Sequence, residues 1–295
     1  MSKFYGLPMK IKPSIEDLLN RYFNHFTDET INSLRWMYLS NNPNAIGLLE
    51  KNYGKINWDY ICENTSAIHI LYSECKRRSL DRYSLSENPS AINLLKHNQY
   101  YILWSALLTN PNAMDIILYN YKVYPNTINW QSVSKNPSAI ELLEANPDKI
   151  NWDSLSENPA AIELLEANPN KIYWDMLSIN PAAIRLLEKN QEKINWMYLS
   201  ENPAAIELLE TNPDKIHWDS ILLNRSAIHL IEAKLQAGYT RDTAELLMLY
   251  SNPSIFVYNY AEMKENMDII REELMKNALH PSRVIRWIEA GCDDM

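Results

Sequence analysis

The sequence predicts an all-α fold, an αα-solenoid of about ten 22-residue two-helix repeats with helical N- and C-terminal caps. Three observations predict it. Trp130, Trp152, Trp174, Trp196 and Trp218 recur at intervals of 22 residues. Asn136, Asn158, Asn180, Asn202 and Asn224 do the same, six residues after each Trp. A fixed period of this length marks stacked supersecondary units, each relying on its neighbours to bury an apolar face. Finally, apolar residues follow each Asn at helical spacing, not in the alternating L-x-L pattern of a leucine-rich repeat.

The first element is an amphipathic helix, Ser14 to Phe26, within an N-terminal capping segment 1-30. Its Leu18, Leu19, Tyr22, Phe23 and Phe26 are available to cover the first unit. The repeats occupy 31-259. Aligned on the Asn, they number ten: Asn42, Asn64, Asn88, Asn110, Asn136, Asn158, Asn180, Asn202, Asn224 and Asn252. Pro follows in eight, with Thr65 and Arg225 in the other two. Trp precedes by six in eight, with Arg82 and Leu246 in the other two. Extra residues before Asn88, Asn136 and Asn252 read as longer surface loops at unit boundaries.

Each unit encodes two short helices. In the first, Asn151 caps, Trp152 opens the helix, and Leu155 follows one turn later; Ile150 and Leu155 have the spacing of a hydrophobic staple. In the second, Asn158 is the N-cap, as Asn136, Asn180 and Asn202 are in their units. Pro159 sits in the first turn, where its missing N–H is no loss. Ala161, Ile162, Leu164 and Leu165 share one face. Asn168-Pro169 ends the helix, because the residue before Pro avoids the α region. The small Ala at the third position after the Asn lets helices approach closely. Each Trp is expected to pack between units as repeat core. The segment 260-295 is a C-terminal helical cap, with one helix from about Tyr260 to Ala278 and a short one from Ser282 to Ala290 that ends at Gly291.

Composition narrows function. Five glycines among 295 residues leave no phosphate-cradling loop. A formal charge of −9 argues against nucleic-acid binding, which needs a basic face. Cys62, Cys75 and Cys292 have neither CxxC nor framework spacing and read as free thiols in a reducing compartment. The beginning does not read as a signal peptide, and no apolar run approaches a membrane span. The six histidines lack metal-ligand spacing, and His69 and His229 stand at an exposed, variable position. The recurrent Glu163 and Glu166 type pairs read as a solvated helix face. No catalytic signature is present, so the sequence predicts a non-enzyme without cofactor, metal or membrane insertion.

The run Leu155 to Glu166 together with Lys193-Ile194-Asn195-Trp196 resembles a repeat family of giant nucleocytoplasmic large DNA viruses, built on an LSxNPxAIxLLExNxxKIxW unit. Met267 to Leu274 and Ala278 to Arg283 are similar to the end of that family's proteins. The resemblance runs from about Trp36 to Trp287 and lapses in the third unit, which lacks Trp. It implies a virion-associated scaffold, a minor capsid protein, with capsid or other virion proteins as partners. The alternative it implies is an adaptor for host proteins in the host cytoplasm.

Partner choice must lie in residues that differ between units. Met176, Ile179, Met197, Tyr198 and Leu223 are apolar where other units are polar, and they are the expected partner-binding residues. Inward packing of these side chains against the next unit is the competing expectation.

Overall fold

The computed structural model describes residues 9–23, 29–124, 126, 128–238, 246–265 and 267–268. Its regular units repeat one path. Asn151 Oδ1 accepts the amide of Ser154 at 2.9 Å and starts the helix Trp152–Ser156. An Asn-Pro turn follows, closed by the Ala161 amide on the Asn158 carbonyl at 3.1 Å. The second helix then runs Ile162–Glu166. Asn168 leaves the helical region at φ −130°, ψ 58°, while its Nδ2 donates to the Leu164 carbonyl at 2.9 Å. The 3-10 turn Pro169–Lys171 leads to the next unit. The Pro therefore lies in a tight turn ahead of the α-helix proper, not inside it.

Helices of five or six residues cannot persist alone, so stacking supplies the stability. The core it builds is Leu155, Ala161 and Leu165 with their counterparts Leu177, Leu187, Leu199, Ala205 and Leu209, all with no exposed surface. The Trp column differs from its expected place as core. Trp130, Trp152, Trp174, Trp196 and Trp218 are half-buried, packed on the core from its edge. A cation covers most of the indoles: Lys171 lies 4.8 Å from Trp152, Lys193 4.5 Å from Trp174 and Lys215 4.5 Å from Trp196. These lysines belong to the Lys-Ile pair of the following unit. Each of these indoles lies across the joint between units, and its outer face takes a cation. Trp174→Ala is therefore expected to cost about 2–3 kcal/mol, below the roughly 3–5 of a fully buried Trp. Urea denaturation reads this directly, and an unchanged midpoint would mean that the indole does not join units.

Two of the insertions lengthen helices instead of only forming loops. The second helix of the fourth unit spans Met114–Val123, and that of the ninth spans Ile228–Gln236. In three units the first helix is a 3-10 turn: Tyr60–Glu63, Ser220–Leu223 and Leu247–Ser251.

The solenoid closes on itself. Asn42 of the first unit donates to the carbonyls of Tyr250 and Asn252 in the tenth, at 2.8 and 3.0 Å. Asn158 makes the same pair of bonds to Ser134 and Asn136 in the unit before it. The joint between last and first units thus repeats the joint between ordinary neighbours, and the ten units form a ring. An asparagine can span no more than about 9 Å between α-carbons through one such bond, so a closed decagon of them has a radius of at most about 15 Å.

First helices of successive units touch, as Trp152–Ser156 does Trp174–Ile179, and that helix Trp196–Glu201. Among the described residues, second helices make no contact of that extent with one another. In a closed ring the layer with closer neighbours has the smaller radius. The first helices form the inner wall and the second helices the outer one.

The joint between units one and ten carries additions found at no other joint among the described residues. Strand β1, Met9–Ile11, pairs antiparallel with β2, Phe256–Tyr258, in the register Met9 opposite Tyr258. Lys12 donates its amide to Ile255 at 2.7 Å. The helix Pro13–Phe23 packs on Ile228–Gln236, with Ile15 and Leu19 buried. It thereby lies over the junction, whereas its sequence reads as a cover for the first unit alone. The first-unit helix, Glu29–Asn41, follows. Phe26 and the side chains of Leu18, Tyr22 and Phe23 lie outside the described residues, as do Ala278, the helix expected from Ser282 to Ala290, and Gly291. A helix does begin at Tyr260, and its Glu262 accepts from Lys51 Nζ at 2.6 Å.

Candidate functional site

The inner wall rests on two polar columns. In the first, each of the ten asparagines is buried and fully bonded. Its Oδ1 accepts the amide two residues on, at 2.9–3.0 Å, which is the capping geometry expected of Asn136, Asn158, Asn180 and Asn202. Its Nδ2 donates to two carbonyls of the preceding unit, at 2.8–3.3 Å, all the way round. The column is cap and ladder at once. Both N–H bonds of each amide are spent and the side chains are buried, so the asparagines hold the wall and do not recognise.

The second column is serine. Ser156 Oγ donates to the Trp152 carbonyl at 2.8 Å and accepts the amide of Tyr173 in the next unit at 3.0 Å. Ser40, Ser134, Ser178 and Ser200 do the same. Cys62 takes this place in the second unit and donates to the Trp58 carbonyl at 3.2 Å. Burial pushes its thiol up to about 12, so it is structural and unreactive. Cys75 is likewise free and buried; Cys292 lies outside the described residues. The serine column was legible as a repeat but not as a bond, because a buried Ser and a surface Ser look alike in sequence.

The face of the first helix turned from the core carries positions one and five after the Trp, with position two at its margin, where Ser154 and Ser220 are buried. The expected partner-binding residues all fall here. Met197 and Leu223 are exposed, at 41% each, while Met176, Ile179 and Tyr198 are half-buried. None of the five belongs to the buried core; the half-covered Met176, Ile179 and Tyr198 lean on their neighbours, and Met197 and Leu223 stand out from the wall. The five stand on three consecutive inner-wall elements, Trp174–Ile179, Trp196–Glu201 and Ser220–Leu223.

Carboxylates alternate with them. Asp153 and Asp175 are exposed and Glu157 and Glu201 half-buried. Asp175 accepts from Asn195 Nδ2 at 3.0 Å, and Glu157 pairs with Lys135 at 3.0 Å. Farther round, Glu63 accepts from Asn41 at 2.8 Å and from Ser84 at 3.3 Å. Burial raises its carboxyl pKa, and the neighbouring charges of Asp81 and Glu87 push the same way. Position five thus touches position five of the next unit, as expected on the short side of a ring.

Elsewhere the surface is ordinary. His69 and His229 each meet a glutamate of the preceding unit at 2.8 Å, Glu50 and Glu210. Among the described residues no group of His, Cys, Asp and Glu is placed to hold a metal, and no helix is long and apolar enough to cross a membrane. Trp104 departs from the column: Thr127 stands where other units have Lys, and the indole is 41% exposed. Comparison with family models, with curated proteins and with solved structures finds no match for this chain.

Proposed function

We propose that this chain is a non-enzymatic ring scaffold that holds a protein partner on the inner-wall face of the units from Trp174 to Leu223. One observation carries the reading. Met176, Ile179, Met197, Tyr198 and Leu223 stay off the core on consecutive helices, though each sits where other units have polar residues. An apolar patch maintained at variable positions of an otherwise uniform repeat is an interface signal. The ladder beneath it supplies rigidity, so little ordering cost falls on binding.

The resemblance of the repeat to the large-DNA-virus family supports reading the scaffold as a minor capsid component of a virion, contacting capsid or other virion proteins. The test combines Ile179→Ser, Tyr198→Ser and Leu223→Ser in the full chain and follows its incorporation into purified virions by mass spectrometry. The expected result is a folded protein whose incorporation falls about tenfold or more, the loss that follows from removing roughly 1.4 kcal/mol of binding. Normal incorporation of the folded variant would overturn the assigned face. A wild-type chain found only in the host cytoplasm would overturn the virion placement and favour the adaptor.

A further inference from the structure

We infer that the occupant of this face is an extended, lysine- or arginine-rich polypeptide segment whose wall-facing residues, every second one, include both basic and apolar side chains. This rests on the proposed binding face and adds the chemistry of its partner.

The charge of the ring is not spread evenly. Counted at positions one and five of the first helix in all ten units, the inner wall carries eight carboxylates and one cation, Lys135. That is a formal −7 of the chain's −9. The rest of the chain carries only the remaining −2 of the −9, its glutamates interspersed with cations such as Lys171, Arg185, Lys189 and Lys215. On the inner wall Lys135 is already committed to Glu157.

Geometry sharpens this. On a helix, positions one and five lie one turn apart on the same face, so each unit presents two side chains to the partner. Along position five of four successive units the order is Glu157, Ile179, Glu201 and Leu223, so carboxylate and apolar side chains alternate there, while position one reads Asp153, Asp175, Met197 and Asp219. Packed helices stand about 8–10 Å apart, and alternate residues of an extended chain about 6.5–7 Å. A segment of about six to eight residues laid along the wall therefore passes three units, and its wall-facing residues, i and i+2, set basic side chains against carboxylates and apolar ones against the patch. A concave wall of one charge sign also concentrates field, which speeds capture of a cationic chain. A polyanion such as nucleic acid is repelled by the same field.

Fluorescein-labelled twelve-residue peptides repeating Lys-Ser-Leu-Ser (the Lys-Leu peptide) or Glu-Ser-Leu-Ser (the Glu-Leu peptide), which put both residue types on one side of an extended chain, test the inference by anisotropy against the full chain at low and physiological salt. Two variants serve as comparison. One carries Asp153→Asn, Asp175→Asn and Glu201→Gln on the inner wall. The other carries Glu163→Gln, Glu166→Gln and Glu207→Gln on the outer wall, removing the same charge. The Lys-Leu peptide is expected to bind and the Glu-Leu peptide not. The inner variant should weaken binding about tenfold and the outer variant less than about twofold. Equal weakening by both, or no Lys-Leu binding, overturns the inference. The two readings fail separately. If the Ile179, Tyr198 and Leu223 serine variant loses incorporation but no cationic peptide binds, only the chemistry falls. If cationic binding depends on the inner carboxylates while that variant incorporates normally, the apolar interface falls.

Discussion

Asn158→Asp is expected to destabilise the ring by about 5 kcal/mol or more at neutral pH, and Asn158→Ala by about 3. As caps alone, Asn and Asp are nearly equivalent and Ala costs about 1 kcal/mol, so from sequence the Asp substitution looks harmless. The structure reverses that order. Asn158 has no exposed surface, and its Nδ2 donates to the carbonyls of Ser134 and Asn136, both at 3.0 Å. Ala removes both donors: the Ser134 carbonyl loses this partner, and the Asn136 carbonyl keeps only the amide of Ala139, at 3.1 Å. Asp does the same and places a buried carboxylate against two carbonyl oxygens. Burial and those oxygens would raise the introduced carboxyl above its unfolded value of about 3.9. A group raised in the folded state favours folding below its unfolded pKa, and that advantage is lost as pH rises through the folded pKa. The Asp variant should therefore recover stability on acidification, relative to the Ala variant. Urea denaturation of both at pH 7 and near pH 4 measures the order and its pH dependence. An Asp variant as stable as the parent at pH 7 would show that the ladder bonds are not formed.

Periodicity made the repeat legible, and local chemistry made the turns legible: Asn158 and Asn168 do at the helix ends what their residue type predicts. What one unit does for the next was harder to read. A side-chain amide has two ends, and capping accounts for only one. Nothing in Asn158 itself says that its NH2 group finds two carbonyls 22 and 24 residues back. Ser156 hides a joint in the same way, and Lys171 hides an indole lid. Closure was least legible. The angle turned by each unit follows from how far Ala161 lets the helices approach against how far Trp152 holds them apart, and no single residue encodes that angle. The pairing of Met9–Ile11 with Phe256–Tyr258 was equally hidden, since a three-residue strand has too little pattern to stand out. The candidate face was legible because it needed only a comparison between units. Met176 and Leu223 differ from their counterparts, and a repeat makes such differences visible.

Removing residues 1–23 is expected to open the ring at the joint between units one and ten, at a cost of about 6 kcal/mol. Nine of the ten joints are bridged by the chain itself, so partners there cannot drift apart. The tenth, between the Asn42 and Asn252 units, has no covalent link and must hold by contacts alone. Its ladder bonds equal those elsewhere, which cannot compensate for the missing connection. The additions at this joint supply the difference. The strand Met9–Ile11 caps the edge formed by Phe256–Tyr258, and Ile11, Ile15 and Leu19 bury their side chains. At about 2 kcal/mol for each buried aliphatic side chain, these three account for the expected loss. Tyr250 would lose its burial in the open form, and Arg35, whose guanidinium lies 4.9 Å from the Tyr250 ring, would lose that partner. The signature is local. Native-state hydrogen exchange should show protection falling at the Asn42, Ala45, Asn252 and Ile255 amides, with the amides of Leu155, Leu177 and Leu199 nearly unaffected, because a solenoid with ends frays from them. Small-angle scattering should show a larger radius of gyration for the truncated chain. Loss of protection spread evenly through all ten units would mean that the ring melts as one body and that the joint has no separate existence; unchanged protection at Asn42 and Asn252 would mean that the ladder bonds alone keep it closed.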